Sequence, residues 1–368
     1  MGLPAYDVDR TYQWNYDHGP VLDDAAFTTE PPAVRGDFSL CGIRLNSPLG
    51  VAAGPLLNSR WISAYARLGF DFLTYKTVRT RARPCYDLPN WVFTDTRALG
   101  PADVAGGTLG VIPFDEARQR GPEMSSAVSF GMPSQSPDVW RADVSAAQAA
   151  LADGQALVVS VVGSPQPGWG RDELADDFAL AAGWAQQAGA HAVEANLSCP
   201  NVTSAEGGIF ADPDLSADIA RRCADAIDGI PLLLKVGFLP DDAKLAALLQ
   251  AVNGIASGIV TLNTVSTDIV ERDGTPAFGT PDRLHAGVTG RAVFPAAVDQ
   301  VKRAATILAR DRLSLQLIAV GGATSPENVR SFLDAGASLV EMATAPVFQP
   351  DIGFRVREAL SANPTTGN

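Results

Sequence analysis

Residues 190–201 read AHAVEANLSCPN, an apolar run that ends in two amides, a hydroxyl and a thiol. The run predicts a buried parallel strand over 190–195. Asn196, Ser198, Cys199 and Asn201 therefore follow the carboxyl end of that strand, which is where α/β barrels carry their chemistry. Amides can hold an uncharged heterocycle, and an ionised thiol can serve as base or nucleophile. A buried structural cysteine is the alternative interpretation.

Seven further runs of this kind alternate with helical patterns. The other strands are predicted at 49–53, 70–76, 157–162, 231–236, 257–262, 316–320 and 338–343. The helices are predicted at 59–68, 173–188, 214–227, 241–252, 295–310, 325–335 and 351–361. Asp212 and Ser325, each followed by proline, are helix-start signals, and Gly69, Gly189 and Gly336 stand where helices end. Eight alternations predict an α/β fold of the (β/α)8 TIM barrel type rather than a doubly wound sheet.

The chain divides into three predicted parts. Residues 1–47 form an N-terminal extension, 48–362 the barrel, and 363–368 a tail. Three segments are too long for simple connections and follow strands, so we expect long inserts over the C-terminal face of the barrel; they are 78–150, 197–213 and 263–294. We expect 78–150 to be a loop-rich insert or lid region, with its base in 122–142 around Gly131.

Composition limits the classes of function. The net charge of −13 argues against nucleic acid and against anionic membranes as partners. The four cysteines show no C-x-x-C spacing, which argues against a metal or iron–sulfur site within this chain and against a disulfide framework. The N-terminus carries neither a signal peptide nor an apolar anchor, so we expect a cytoplasmic protein.

Glycines near the ends of the last strands predict a phosphate site. Gly321-Gly322 follows the seventh strand, and Ala343-Thr344 follows the eighth. Barrels often bind phosphate there, because glycine lets backbone N–H groups approach closely. Gly287-Val-Thr-Gly290, ahead of a helix, is a third candidate. A tight turn without a ligand is the alternative.

Two lysines end predicted strands and point to an anionic ligand. Lys76 and Lys235 would face the barrel mouth, where a fixed cation stabilises a reduced flavin ring or a carboxylate. A structural ion pair is one alternative, and a Schiff base on Lys235, as in barrel aldolases, is another. Asn263 and Thr264 add polar groups at the rim, and small residues at 52–54 leave room for a flat ring.

Together these motifs resemble the dihydroorotate dehydrogenase family, in particular its cysteine-base class, from about Leu49 to Leu360. The most specific element is Asn196-Leu-Ser-Cys-Pro-Asn201. The supporting matches are Ala53-Gly54, Tyr75-Lys76-Thr77, Lys235, Leu262-Asn263-Thr264, Gly287-Val-Thr-Gly290, Gly321-Gly322 and Thr344.

The resemblance implies an FMN-containing barrel that oxidises dihydroorotate, with Cys199 and Lys76 as catalytic residues. It implies substrate contacts from Asn196, Asn201, Asn263, Thr264, Ser129, Gly131 and Met132. It implies FMN contacts from Ala52, Ala53, Gly54, Lys76, Thr77, Asn196, Lys235, Asn263, Gly287, Gly290, Gly321, Gly322, Ala343 and Thr344. We further expect a homo-oligomer. We also expect a separate electron-transfer subunit, because 201–208 resembles the form that partners an iron–sulfur flavoprotein more than the fumarate-using form.

Two positions depart from the family pattern. Val128 stands where the motif of the lid base usually begins with Asn, so one amide at the substrate ring is replaced by an apolar side chain. Ala343 replaces a common glycine, which is tolerable if its φ stays negative. Val128 keeps open a flavin enzyme for another dihydropyrimidine or unsaturated ring. The aldolase that uses Lys235 and a non-catalytic barrel that binds a phosphate ligand also remain open.

Overall fold

The computed structural model describes residues 5–20, 30–104, 106–198 and 205–362. Its strands are β1 (Phe38–Leu40), β2 (Ile43–Leu45), β3 (Leu49–Val51), β4 (Phe72–Val78), β5 (Trp91–Thr94), β6 (Thr108–Ile112), β7 (Ser125–Val128), β8 (Ala156–Val161), β9 (Ala192–Asn196), β10 (Leu232–Lys235), β11 (Gly258–Thr261), β12 (Val265–Val270), β13 (His285–Gly290), β14 (Gln316–Val320) and β15 (Leu339–Met342). Its α-helices are α1 (Tyr12–His18), α2 (Ser59–Arg67), α3 (Pro101–Val104), α4 (Phe114–Gln119), α5 (Pro137–Ala149), α6 (Arg171–Gln187), α7 (Pro213–Ala226), α8 (Asp242–Val252), α9 (Phe294–Asp311), α10 (Pro326–Asp334), α11 (Thr344–Phe348) and α12 (Ile352–Ala362).

Eight parallel strands close into the predicted barrel, in the order β3-β4-β8-β9-β10-β11-β14-β15. Each of the eight strands expected from the sequence is confirmed. β4 and β8 are buried at every position, because helices cover the outside and side chains fill the inside. This explains why their sequences read as continuous apolar runs.

Alternation along the strands decides which side chains enter the barrel. Ala192, Leu233 and Leu339 belong to the cluster inside the barrel, whereas the residues that follow them pack outward. Because side chains on a strand alternate between the two faces, Glu194, Lys235 and Glu341 also point inward. The interior therefore changes from apolar to charged toward its carboxyl end.

The seven predicted helices are confirmed as α2, α6, α7, α8, α9, α10 and α12. Asp212 and Ser325 accept hydrogen bonds from backbone N–H groups in the first turns of α7 and α10, as their cap sequences predict. The eighth helix of the barrel, between β4 and β8, is α5, which lies inside the segment assigned to the insert.

Part of the N-terminal extension covers the amino-terminal end of the barrel. β1 and β2 pair as an antiparallel hairpin, and Leu40 and Leu45 join the interior cluster. The amide of Gln316, at the start of β14, donates to the Ser39 carbonyl at 2.7 Å and accepts from the Cys41 N–H at 2.6 Å. These bonds hold the hairpin against the barrel floor.

The two longest inserts fold together into a second closed sheet of order β12-β13-β7-β5-β6. β5, β6 and β7 come from 78–150, and β12 and β13 come from 263–294. The expectation of loops in these segments is therefore wrong. Within the expected lid base at 122–142, β7 pairs with both β5 and β13, so this part of the segment is an internal strand of the sheet. Each strand is short, and β6 with β12 and β7 with β13 pair across a large distance in sequence, so the pattern is hard to detect.

Residues 5–20 pack on the insert sheet. The ring of Tyr6 lies 5.2 Å from that of Trp91 and 6.1 Å from that of Phe130, and Tyr12 also contacts Phe130. The extension thus contacts the amino-terminal end of the barrel through its hairpin and the insert sheet through residues 5–20. The division at residue 47 stays a prediction, and the tail 363–368 lies outside the described residues.

A buried ion pair joins the barrel to its last helix. The Arg357 guanidinium donates to Asp71 at 2.7 Å, and the Ser47 hydroxyl donates to the same carboxylate at 2.5 Å. Burial raises the pKa of Asp71, and Arg357 and Ser47 oppose the rise. Within the described ranges, none of the helices combines the length and apolar character that crossing a membrane requires.

Candidate active site

A cavity opens at the carboxyl ends of the barrel strands, beneath the insert sheet. Its volume is about 130 Å³. Its lining includes the predicted residues Ala53, Gly54, Lys76, Thr77, Met132, Asn196, Lys235, Asn263, Thr264, Ala343 and Thr344. It also includes Pro55, Trp91, Val128, Phe130, Ser198 and Thr289. Most of the predicted site residues are thus brought together in one place.

Hydrogen bonds to Ser198 orient two amides at one side of the cavity. Asn196, the last residue of β9, accepts from the Ser198 N–H at 3.1 Å, and Asn263 donates to the Ser198 carbonyl at 2.6 Å. Each amide is thus oriented at one end by this turn, and the Asn196 amide also donates from its NH2 group to the Met132 sulfur at 3.7 Å. Cys199 directly follows this turn, but Cys199 and Asn201 lie outside the described residues.

The opposite wall of the cavity is apolar and comes from the insert sheet. Val128 ends β7, and its Cα partner Trp91 begins β5. The Trp91 and Phe130 rings meet at 90° with centroids 6.0 Å apart, and Met132 completes the wall. Val128 therefore does face the cavity, as its place in the motif predicted. Trp91 and Phe130 were missed, because nothing local marks an aromatic residue as facing a ligand.

Two arginines hold the loop from Ser129 to Met132. Arg283 donates to the Ser129 carbonyl at 3.0 Å and to its hydroxyl at 3.2 Å, and Arg79 donates to the Met132 carbonyl at 3.1 Å. Gly131 has φ +73°, and a Cβ there would lie 2.7 Å from the Tyr86 ring. Ser129 and Gly131 thus shape the loop without lining the cavity, whereas Met132 lines it.

Three turns meet where the phosphate site is predicted. The Thr289 and Thr344 hydroxyls share a hydrogen bond of 3.0 Å. Gly290 and Gly322 both have positive φ, and a Cβ on Gly322 would collide with the Gly290 carbonyl oxygen and lie 2.9 Å from the Phe294 nitrogen. Only glycine fits this approach at the start of α9. A backbone cradle beside a cavity lined by both polar and apolar side chains fits a ligand with a phosphate and a ring system, such as FMN.

The other residues predicted to contact the cofactor do not share one environment. Ala343 has φ −126°, so its replacement of a glycine is tolerated as predicted. Gly321 packs against Ala297, beside the cradle. Gly287 lies in the middle of β13, paired with Ser266 and Val128, and Ala52 belongs to the cluster inside the barrel.

Below the cavity, the described part of the barrel interior holds the Lys235 ammonium and the Glu194 and Glu341 carboxylates. The Lys235 Nζ lies 3.7 Å from Glu341 Oε2, and Glu341 Oε1 accepts from the Thr74 hydroxyl at 2.7 Å. Neither oxygen of Glu194 has a hydrogen-bond partner among the described residues. Burial raises the pKa of Glu194 to about 7; Glu341 adds to the rise and Lys235 opposes it. A glutamate in the middle of each apolar run, at 194 and 341, was the sequence signal for this cluster.

Known proteins are similar to this chain in sequence over most of its length. The family model described as dihydroorotate dehydrogenase matches residues 123–362. A dihydroorotate dehydrogenase of Dictyostelium discoideum is 32% identical over 372 residues, which cover 96% of this chain and 97% of that protein. A dihydroorotate dehydrogenase A (fumarate) of Limosilactobacillus reuteri is 32% identical over 45% of this chain and 52% of its own length. A dihydroorotate dehydrogenase B (NAD(+)) catalytic subunit of Bacillus pumilus is 30% identical over 50% of this chain and 57% of its own length.

The fold also has a close counterpart among solved structures. The crystal structure of DHODH in complex with ferulenol from Eimeria tenella superposes with a TM-score of 0.69, covering 91% of this chain and 87% of that chain at 16% identity. At this identity the likeness concerns the fold alone, and it agrees with the closed eight-stranded barrel. The matches over the sequence carry the assignment further. The chain belongs to the dihydroorotate dehydrogenase family and is an oxidoreductase that acts on CH–CH bonds.

Proposed function

We propose that this protein oxidises dihydroorotate to orotate in pyrimidine biosynthesis, with FMN as the hydride acceptor. The Dictyostelium relative, which aligns over nearly its whole length, carries the name dihydroorotate dehydrogenase. The observation that carries the proposal is the convergence of Lys76, Asn196, Lys235 and Asn263 on one cavity at the strand ends. Amides and ammonium groups at this place suit a planar, anionic pyrimidine ring.

FMN would lie between the glycine cradle and the polar side of the cavity. Gly290, Gly322 and Thr344 would hold its phosphate, while Ala53 and Gly54 leave space for the ring system. Lys235 would face the end of the ring where negative charge collects. When bound, FMN supplies the redox chemistry by accepting a hydride.

The side chains of the chain would position the substrate and move one proton. Asn196 and Asn263 would bind the pyrimidine ring, with Lys76 beside it. Cys199, as a thiolate, would take the C5 proton while the C6 hydrogen leaves as hydride. The C5–H and C6–H bonds break and the C5–C6 double bond forms, so atoms and electrons balance. The apolar wall of Trp91, Phe130 and Met132 would exclude water from this step.

The absorption spectrum of the purified protein is the first test. We expect flavin bands that bleach when dihydroorotate is added without oxygen. In Cys199→Ser, flavin should stay bound but its reduction should slow strongly near neutral pH and recover at higher pH, because serine is a weaker acid. Cys41→Ser, at the opposite end of the barrel, is the matched control. A colourless protein contradicts the cofactor, and unchanged reduction in Cys199→Ser contradicts the base.

The apolar wall favours a second candidate function, a flavin-dependent dehydrogenase or reductase of another dihydropyrimidine or unsaturated ring. Val128 offers no hydrogen bond where a polar ring edge would need one. Bleaching by such a compound, but not by dihydroorotate, would favour this candidate. Membership of an oxidoreductase family favours both redox proposals over an aldolase that uses Lys235.

The identity of the compound that reoxidises the flavin, and the identity of any partner protein, also belong to this proposal. The Limosilactobacillus relative is named for fumarate and the Bacillus relative for NAD(+), and the chain resembles both to a similar extent. The name catalytic subunit in the Bacillus relative supports a separate electron-transfer subunit here. A homo-oligomer and a cytoplasmic location stay predictions.

A further inference from the structure

The charged cluster inside the barrel has no part in binding the substrate, yet it lies directly below the proposed flavin site. We infer that Glu194 takes up a proton from solvent when the bound flavin is reduced, and so balances the negative charge that the site gains. The inference rests on the proposed function only in requiring FMN in the cavity. Glu194 would act through Lys235, and is a positioning residue rather than a catalytic one.

Lys235 connects the cavity to the cluster. It lines the cavity, and its ammonium lies 3.7 Å from Glu341. Lys235 ends β10 beside Asn196 of β9, and the residue two positions before it, Leu233, is paired with Glu194. Glu194 therefore lies one layer below the cavity, on the strand next to Lys235. A change of charge at the ligand acts on Lys235 first and on the carboxylates behind it.

The cluster cannot cheaply hold both carboxylates ionised. Each buried ion costs several kcal/mol of desolvation, which only a well-placed counter-charge offsets. Glu341 has the Lys235 ammonium and the Thr74 hydroxyl, whereas neither Glu194 oxygen has a hydrogen-bond partner in the described chain. Glu194 is therefore the carboxylate that accepts a proton, and its pKa, raised to about 7 by burial, agrees with this assignment.

The groups that face Glu194 set the direction of the effect. Among the described residues these are the ammonium of Lys235, the carboxylate of Glu341 and the uncharged Ser160 hydroxyl. The Ser160 hydroxyl favours the ionised form of Glu194 but does not reach hydrogen-bond geometry with it. A reduced, anionic ligand at Lys235 would offset part of the positive charge that favours ionised Glu194. The pKa of Glu194 then rises, so above about pH 7 reduction draws one more proton into the protein.

The reduction potential of the FMN-loaded protein tests this coupling. Each proton taken up in a two-electron reduction adds about 30 mV per pH unit to the slope of potential against pH. Above pH 7 we expect the slope of the wild type to exceed that of Glu194→Gln by about this amount, because glutamine cannot take up the proton. Glu358→Gln, on the exposed face of α12, should keep the wild-type slope. Equal slopes in wild type and Glu194→Gln overturn the inference.

A second measurement uses the protein without flavin. Infrared spectroscopy should detect the carbonyl band of a protonated buried carboxyl group below about pH 7, and the band should be lost as the pH rises. The band should be absent in Glu194→Gln. If that variant does not fold, Glu341→Gln takes its place. Without the Glu341 carboxylate, the Lys235 ammonium favours ionised Glu194 more strongly, so the band should be absent near neutral pH. A band unchanged in both variants overturns the inference. A wild type that binds no FMN contradicts the proposed function, and the infrared result remains readable.

Discussion

Replacing Lys235 by methionine should make the stability of the protein depend more strongly on pH. Methionine keeps the length and apolar stem of lysine but removes the charge that faces Glu341 and Glu194. The two carboxylates would then be buried without a cation among the described groups around them. Glu194, whose pKa burial already raises, can avoid the cost of ionisation by taking up a proton.

The expected magnitude follows from the pKa of Glu194. That pKa is about 7 in the folded protein and 4.5 without the fold, so the native state holds the extra proton between these values. The contribution is fully present below pH 4.5 and is lost as the pH rises through about 7. At about 1.4 kcal/mol per pH unit for one proton, the wild type loses roughly 3 kcal/mol across this window.

Without Lys235 the pKa of Glu194 rises further, because the ammonium is the group that lowers it. The free energy of unfolding should then continue to fall above pH 7, where the wild-type contribution of Glu194 has levelled off. Loss of one partner of a buried pair typically costs about 3–5 kcal/mol. We expect a deficit of this size at pH 8 and a clearly smaller one at pH 5, where Glu194 is more easily protonated.

Urea unfolding of the flavin-free protein at pH 5, 6, 7 and 8 measures these curves. Lys244→Met, which removes an exposed lysine on α8, is the matched control and should follow the wild type. The double variant Lys235→Met with Glu194→Gln should recover part of the loss at pH 8. A deficit of Lys235→Met that is the same at every pH would refute the reasoning, since it would show a packing loss rather than an unpaired charge.

Three further predictions concern the cradle, the apolar wall and the buried ion pair. Gly322→Ala should weaken FMN binding more than tenfold in a fluorescence titration, whereas Gly229→Ala, also at positive φ but with open space around it, should not; equal affinities would contradict the cradle. Val128→Asn should lower the KM for dihydroorotate about threefold to tenfold, the effect of one added hydrogen bond, and an unchanged or raised KM would count against it. Arg357→Met should lower the free energy of unfolding by about 3–5 kcal/mol at pH 8 and by less at pH 5, because Asp71 loses its partner. Arg355→Met, which changes an exposed arginine, is the control. A loss of stability that does not depend on pH would exclude the charge explanation.

The barrel could be predicted from the sequence because its signals are local. Buried strands such as β4 and β8 read as short apolar runs, and the caps at Asp212 and Ser325 mark helix starts within a few residues. Chain order then decides which strand ends meet, since a parallel barrel puts every carboxyl end on one face. For this reason Asn196, Lys235 and Asn263 could be grouped without coordinates.

The insert sheet could not be predicted in this way. Val128 of β7 is paired with Gly287 of β13, and only the folded chain brings these distant residues together. Their strands are too short for a period-2 pattern to stand out from loop sequence. The same limit applies to Ser129. It follows Val128, which lines the cavity, but its own hydroxyl accepts a hydrogen bond from Arg283, a residue distant in sequence.

The order of strands and helices and the polar residues at the strand ends could be recognised in the amino-acid sequence, because both depend on neighbours a few positions away. That Glu194 and Glu341, on separate strands, face one lysine inside the barrel became visible only in the folded chain. The pKa of a buried acid depends on desolvation and on charges across the interior, and both are set by the closure of the barrel rather than by adjacent residues.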